Sequence, residues 1–176
     1  MSVFKLGNKK PEIDPSVYIA PTATVVGDVS IGKNSSIWFN CVARGDVAAI
    51  TIGERTNIQD ITMLHVNFGK PLVIGSQVTV GHSCIVHGCI IEDDCLIGMG
   101  AIIMNGAKIG TGSIVASGSV VLQESVIPPF SLVTGTPGRV KRTLDKDALK
   151  IIRSPADIYE KNARTYKSSE ELVPLA

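Results

Sequence analysis

Residues 91–133, IEDDCLIGMGAIIMNGAKIGTGSIVASGSVVLQESVIPPFSLV, decide the fold of this chain. Divided into groups of six, the stretch begins every group with Ile or Val: Ile91, Ile97, Ile103, Ile109, Val115, Val121, Ile127 and Val133. A mostly small side chain follows four residues after each of them. A period of six fits neither an α-helix, at about 3.6 residues per turn, nor a strand that simply alternates between two faces.

The same period extends towards the N-terminus as far as Ile13, with short insertions after Ala43 and Leu64 and a one-residue deletion after Val86. Such a hexapeptide period is typical of parallel β-helices, in which three short strands form each triangular coil. The pattern resembles that of left-handed hexapeptide-repeat proteins. It therefore predicts an all-β solenoid, a left-handed parallel β-helix of hexapeptide repeats over residues 13–138.

The repeat stops after residue 138, so the sequence predicts three regions: an N-terminal segment at 1–12, the β-helix domain at 13–138 and a C-terminal helical tail at 139–176. Thr143 is a candidate N-cap for the tail helix. Pro155 should divide that helix into two pieces, because proline lacks the backbone N–H. Two further signals predict the helix. Asp145 and Asp147 would make its first turn acidic, and an apolar stripe would consist of Leu144, Leu149 and Ile152.

Composition restricts the classes of function. The chain has 17 basic and 16 acidic residues, a formal net charge of +1 and no basic run, so we expect no nucleic-acid or membrane partner. Its start has no apolar signal-peptide core, and no apolar run reaches the roughly 18 residues of a membrane span. The cysteines at 41, 84, 89 and 95 form no Cys-x-x-Cys pair, which favours a reduced, cytoplasmic location. Cys41, Cys84 and Cys95 fall in the small inward position and are predicted to pack the core.

The three histidines of the chain are His65, His82 and His87. On the repeat, His65 and His87 occupy the same position of adjacent coils, and Arg44 occupies that position one coil earlier. Neighbouring strands lie about 4.8 Å apart, so the two imidazoles should be close together. His82 belongs to the neighbouring face of the coil, where Asp60 precedes it in the same column.

Two stacked histidines and a third that faces elsewhere form a metal site only if a second subunit supplies the third ligand. A homotrimer would achieve this, with His65 and His87 of one subunit meeting His82 of the partner subunit. Three imidazoles and a water molecule are the ligands of an open, catalytic zinc site. The alternative is that these histidines are solvated surface residues without a ligand.

Four motifs carry a more specific resemblance. They are RGD at 44–46, TNIQD at 56–60, LHV at 64–66 and VGHSCIVHGC at 80–89. Together they resemble the gamma-class carbonic anhydrase family, and the resemblance spans nearly the whole chain. It implies that His65, His82 and His87 are the zinc ligands.

The same resemblance implies roles for five further residues. Arg44 and Asp46 would form a salt bridge between subunits, and Gln59 and Asp60 would line the active site. Gln59 is expected to orient the metal-bound water, and Asp60 to hold a ligand imidazole. Tyr159 is a possible site-lining residue on the tail.

The implied activity is the reversible hydration of carbon dioxide, a small-molecule substrate, to bicarbonate at Zn²⁺, although imidazole ligands also suit iron and cobalt. Three alternatives stay open: a metal-dependent esterase or thioesterase at the same site, a metal-free acyltransferase built on the same repeat, and a non-catalytic scaffold. The best-known gamma-class enzymes carry a glutamate after the first ligand and another after the RGD aspartate. Here the loop VNFGKPL at 66–72 and Val47 offer no carboxylate, so we expect slow turnover.

Overall fold

A computed structural model describes residues 2–168 as a parallel β-solenoid of about seven coils followed by a helix. The strands are β1 (Ser2–Phe4), β2 (Glu12–Ile13), β3 (Tyr18–Ile19), β4 (Thr24–Ile31), β5 (Ser36–Ile37), β6 (Val42–Ile52), β7 (Asn57–Ile58), β8 (Met63–His65), β9 (Leu72–Ile74), β10 (Thr79–Val80), β11 (Ile85–His87), β12 (Ile90–Ile91), β13 (Leu96–Ile97), β14 (Ile102–Ile103), β15 (Lys108–Ile109), β16 (Ile114–Val115), β17 (Val120–Val121), β18 (Val126–Ile127), β19 (Ser131–Thr134) and β20 (Arg139–Thr143). The helix α1 is Ala148–Ser168. The predicted left-handed β-helix of hexapeptide repeats is confirmed.

Each coil contributes one short strand to each of three faces. The first face carries β8, β11, β14 and β17 in parallel, and the third carries β9, β12, β15 and β18. The long strands β4 and β6 continue around the corner between these two faces, which joins them into one twelve-stranded sheet. The second face is a separate eight-stranded sheet in the order β20-β19-β16-β13-β10-β7-β5-β3, and α1 packs against β3, β5, β7 and β10.

The aliphatic residue of each hexapeptide points into the solenoid and stacks on its equivalent in the next coil. Ile58, Val80 and Ile97 form one such column and are fully buried. The cysteines fill the small inward positions, as predicted for three of them, and all four are free and buried. Burial raises the pKa of Cys41 to about 11 and that of Cys95 to about 12. These thiols therefore stay protonated at neutral pH and act as packing groups.

The two insertions of the repeat project from the coil without interrupting the stack. The first lies within β6, where Gly45 approaches Gly27 so closely that a Cβ on Gly27 would lie 2.3 Å from the Gly45 carbonyl oxygen. Gly27 also has a φ of +85°, so both sterics and backbone conformation require glycine there. The second insertion is a turn closed by backbone pairing between Asn67 and Lys70.

The sheets include strands beyond the predicted repeat region of 13–138. At the start, β1 adds to β4 in parallel, and Lys9 donates from Nζ to the carbonyl oxygen of Asp46 at 2.5 Å. At the end, β20 turns back and pairs with β19 in the antiparallel direction. The last part of the predicted tail, residues 169–176, lies outside the described residues.

The tail helix begins later than predicted. Thr143 ends β20 and is not the N-cap. Instead the Asp145 carboxylate accepts a hydrogen bond from the N–H of Ala148 at 3.2 Å, and both Asp145 and Asp147 precede the first turn. Ala148 joins Leu144 and Ile152 in the buried stripe, while Leu149 is only half-buried.

The prediction that Pro155 divides the helix was wrong, because α1 continues through it. Contacts with the solenoid hold the helix on both sides of the proline. Before it, Arg153 makes two hydrogen bonds to Asp94, at 2.7 and 2.8 Å. After it, Arg55 pairs with two helix carboxylates, those of Asp157 and Glu160, each at 2.7 Å. No helix within residues 2–168 combines the length and the apolar content that a membrane crossing requires.

Candidate metal centre

Arg44, His65 and His87 form one column on the first face, in the register expected from the repeat. The β6–β8 ladder sets Arg44 beside His65, and the β8–β11 ladder sets His65 beside His87. The centroids of the two imidazole rings are 4.9 Å apart, in an edge-to-face arrangement. The strand register therefore brings two of the three predicted ligands into contact.

Each of these two rings donates one N–H to an oxygen acceptor. The Nε2 of His65 lies 3.0 Å from Oδ1 of Asp46, and the Nδ1 of His87 lies 2.6 Å from Oδ1 of Asn105. A carboxylate oxygen or an amide oxygen can only accept, so these ring nitrogens carry the hydrogen. When both rings are neutral, the other nitrogens, Nδ1 of His65 and Nε2 of His87, carry no hydrogen and face each other across 2.9 Å.

This arrangement fits a metal ion. Two imidazole ligands at about 2.0–2.1 Å from a tetrahedral ion have their nitrogens about 3.3 Å apart, close to the spacing of the two facing nitrogens. Metal-binding histidines usually donate their second N–H to a carboxylate or carbonyl group, as both rings do here. Two facing lone pairs repel each other unless a proton or a metal cation lies between them. The residues therefore suit a cation held by His65 and His87.

His82 lies around the corner of the coil, in a second column with Asp60. Its Nδ1 donates to Oδ2 of Asp60 at 2.9 Å, and Oδ1 of Asp60 accepts the backbone N–H of Phe39 at 3.2 Å. The Nε2 of His82 is consequently the nitrogen without hydrogen, and the hydroxyl of Tyr159 faces it at 3.5 Å. Within residues 2–168, one chain assembles no group of three His, Cys, Asp or Glu side chains that could hold a metal.

Arg44 and Asp46 form an ion pair within the chain. Burial of the Asp46 carboxyl favours its neutral form, but the hydrogen bonds from His65 and Arg44 outweigh burial and lower its pKa below the usual value. Asp46 therefore stays ionised, offsets the charge of Arg44 and holds the His65 ring. The pairing of these two residues between subunits stays a prediction.

Of the two remaining predicted site residues, Tyr159 lies beside His82, whereas the Gln59 side chain bonds to Asn57 and its role at the metal stays a prediction. Gln59 is buried, and its Nε2 donates to Oδ1 of Asn57 at 3.1 Å. Tyr159 comes from α1, where its ring stands edge-on to Trp38 with centroids 5.1 Å apart. Burial, followed by the charge of Asp60, raises the pKa of Tyr159, so its hydroxyl stays protonated near neutral pH.

The sequence reasoning missed Asn105. Its side chain crosses from the next coil to His87, and it passes over Gly88, where a Cβ would lie 2.6 Å from Oδ1 of Asn105. The available signal was positional: Asn105 stands one coil after Gly88 in the same column.

The fold and the stacked histidines define a hexapeptide-repeat protein of the left-handed β-helix class. Family models described as "Bacterial transferase hexapeptide (six repeats)" and "Hexapeptide repeat of succinyl-transferase" match residues 88–123 and 71–103. A solved structure from Bacillus cereus, whose description names an acetyltransferase, is similar with a TM-score of 0.93 and 44% identity over 95% of this chain and 97% of that chain.

Two curated relatives specify the family. A probable carbonic anhydrase of Methanocaldococcus jannaschii is 51% identical over 89% of this chain and 98% of its own length. The mitochondrial gamma carbonic anhydrase 1 of Arabidopsis thaliana is 40% identical over 99% of this chain and 64% of its own length. The chain belongs to the gamma-class carbonic anhydrase family.

Proposed function

We propose that this protein catalyses the reversible hydration of carbon dioxide to bicarbonate at a zinc ion. The observation that carries this proposal is the state of the three imidazoles: each donates one N–H to a side-chain acceptor and keeps one nitrogen free for a ligand. Membership of the family makes the chain a carbonic-anhydrase-like lyase. Zinc is our choice among the metals that accept three imidazoles, with iron and cobalt as the alternatives.

The complete site needs two copies of the chain, because His82 stands around a corner from the other two histidines. We propose a homotrimer in which His65 and His87 of one subunit meet His82 of the partner subunit. A threefold ring repeats the same contact three times and closes on itself, which is ordinary geometry for homo-oligomers. The first face suits such a contact, since Met63 and Ile85 beside the histidines are apolar and at least one-third exposed.

The residues around the histidines have separate tasks in this proposal. Asp46 and Asp60 accept the ring hydrogens of His65 and His82, which leaves Nδ1 of His65 and Nε2 of His82 for the metal. Arg44 balances the charge of Asp46, and Gln59 and Tyr159 border the space near His82. When bound, a zinc ion lowers the pKa of a coordinated water to about 7, which supplies the nucleophile for carbon dioxide.

We expect this enzyme to be slow, because its own residues provide poor routes for the proton that each turnover releases. Val47 is packed against the core, and the loop that follows His65 is closed by the pairing of Asn67 with Lys70. The nearest loop cation, Lys70, is bound to Glu124 at 2.6 Å. Proton transfer would then depend on small buffer molecules.

Metal analysis of the purified protein tests the proposal. We expect about one zinc ion per subunit, carbon dioxide hydration that a chelator abolishes, and recovery when zinc is restored. Protein that hydrates carbon dioxide equally well after complete metal removal would contradict it. Zinc-loaded protein without hydration activity, but with ester or thioester hydrolysis, would favour the metal-dependent esterase.

The acyltransferase alternative makes a different prediction in the same assay. It needs one histidine as a general base and no metal, so transfer from acetyl-coenzyme A would survive chelation. It leaves unexplained why each of the three histidines donates one ring N–H to a side-chain oxygen and leaves its other ring nitrogen free. We also propose a cytoplasmic location, which is supported by the free, buried cysteines.

A further inference from the structure

We propose that Asn105 is a positioning residue for His87, which fixes the tautomer of that ring so that Nε2 stays free for a metal ion. This inference rests on the metal site proposed above, and it assigns a new residue to it. The contact that carries it is the 2.6 Å separation between Nδ1 of His87 and Oδ1 of Asn105.

The other tautomer of His87 would disable the site. With the hydrogen on Nε2, the ring would donate to Nδ1 of His65, only 2.9 Å away. One hydrogen bond between the two histidines would then occupy both of the nitrogens that should bind metal. An acceptor at Nδ1 of His87 prevents this, because it keeps the hydrogen on the far side of the ring.

The backbone of the next coil holds Asn105 in place. The carbonyl oxygen of Asn105 accepts the N–H of Glu124 at 3.0 Å, and the N–H of Gly106 donates to the carbonyl oxygen of Gly88 at 2.8 Å. The corner that carries Asn105 is thus bonded to the coils before and after it. Gly88 leaves the path to His87 open, because it has no Cβ in the way of the amide.

Asn105 differs from its two counterparts in charge. His65 and His82 donate to the carboxylates of Asp46 and Asp60, whereas His87 donates to a neutral amide. The amide fixes the ring without adding a third negative charge to a site that has three neutral ligands. An ionised aspartate can only accept a hydrogen bond, whereas an amide can accept or donate. Replacing Asn105 with aspartate therefore shows whether the residue acts on His87 as an acceptor.

The test compares Asn105→Leu, which removes the acceptor at similar size, with Asn105→Asp, which retains it. Zinc affinity is measured by competition with a chromophoric chelator, and the tautomer of His87 by nitrogen-15 correlation spectra at pH 8 after metal removal. We expect wild type and Asn105→Asp to carry the hydrogen on Nδ1. Asn105→Leu should shift it to Nε2 and weaken zinc binding by about 10- to 100-fold. Asn162→Leu, on the exposed face of α1, is the matched control and should change neither quantity.

Unchanged zinc affinity and tautomer in Asn105→Leu would overturn the role of Asn105, as would a wild-type His87 with the hydrogen on Nε2. A shift of the His87 hydrogen from Nδ1 to Nε2 in Asn105→Asp would also overturn it, because that result would mean that the wild-type amide donates to Nδ1. If Asn105→Leu does not fold, zinc affinity and the His87 tautomer are measured in Asn105→Ala instead and compared with wild type. If wild type binds no zinc, the proposed function fails, while the spectra still decide the role of Asn105.

Discussion

At the scale of single residues, a hydrogen-bond acceptor on one side of each imidazole ring decides which ring nitrogen carries the hydrogen. Asp46, Asp60 and Asn105 each take one ring hydrogen, and the position of the free nitrogen follows from that choice. The chain has three histidines, and each has such a partner, so a substitution at any one of them removes one of the three predicted ligands.

We therefore expect His65→Ala, His82→Ala and His87→Ala each to lose most of the bound metal and the hydration activity. The reason is that two imidazoles hold zinc far more weakly than three. Metal content per subunit after gel filtration is the measurement, and Lys33→Ala, an exposed change, is the control. Full occupancy in any one of the histidine variants would show that it is not a ligand.

The repeat itself predicts the histidine column, because equal positions of a hexapeptide must stack. It does not predict the partner of His87. An asparagine side chain can reach a coil above, a coil below or its own backbone, and only the path opened by Gly88 selects His87. Residue positions and a bond from Asp60 to a ligand imidazole were therefore expected from the sequence, while the bond between Asn105 and His87 needed the structure.

At the scale of elements, α1 shows how tertiary contacts can override a local signal. Proline within a helix removes one backbone hydrogen bond, and the sequence alone favours a break there. The ion pairs of Arg153 and Arg55 with partners across the helix–solenoid contact lie on both sides of Pro155. The members of each pair are 59 residues apart for Arg153 and Asp94, and 102 and 105 residues apart for Arg55 with Asp157 and Glu160. The local sequence around the proline therefore does not reveal the pairing.

Arg55→Ala should loosen α1 because it releases two helix carboxylates at once. Exposed pairs of this kind contribute about 0.2–1 kcal/mol each, so loss of both should accelerate amide exchange in α1 roughly two- to thirtyfold. Hydrogen–deuterium exchange resolved along α1 is the measurement. The control is Arg139→Ala, whose described hydrogen bond runs only to the neighbouring Gly138 carbonyl. Equal exchange in both variants would mean that packing alone holds the helix.

At the scale of the whole molecule, the proposed site exists only between subunits. His82 and the pair of His65 and His87 lie on different faces of the solenoid, separated by a corner. Two inactive variants should therefore restore a site when mixed, provided that each keeps the histidine that the other has lost.

His82→Ala and His87→Ala subunits, unfolded and refolded together, should regain activity. A His82→Ala subunit keeps His65 and His87, and a neighbouring His87→Ala subunit keeps His82. Random mixing at equal amounts leaves about one quarter of the interfaces with a complete ligand set, so about one quarter of wild-type metal binding should return. Mixed trimers, shown by native mass spectrometry, that bind no metal would contradict the shared site.

Turnover should rise with the concentration of small imidazole-type buffers. The loop at 66–72 and Val47 provide no carboxylate or histidine to carry the proton away. Initial rates at fixed pH and ionic strength across buffer concentrations test this. Val47→Glu or Asn67→Glu should lessen the dependence, whereas Val126→Glu, an exposed change on the third face, should not. Fast turnover that ignores buffer would refute the expectation.

The position of the histidines along the stack has a consequence for how the protein tolerates damage. In a solenoid the strands of each coil pair only with those of neighbouring coils, so opening that starts at an end spreads coil by coil. β8 and β11, which carry His65 and His87, have β4 and β6 on one side and β14 and β17 on the other. Fraying of a terminal coil must therefore cross two intact layers before it reaches a ligand. Because the two histidines lie in the middle of the stack, truncation or thermal opening at either end of the solenoid should reach the proposed site last.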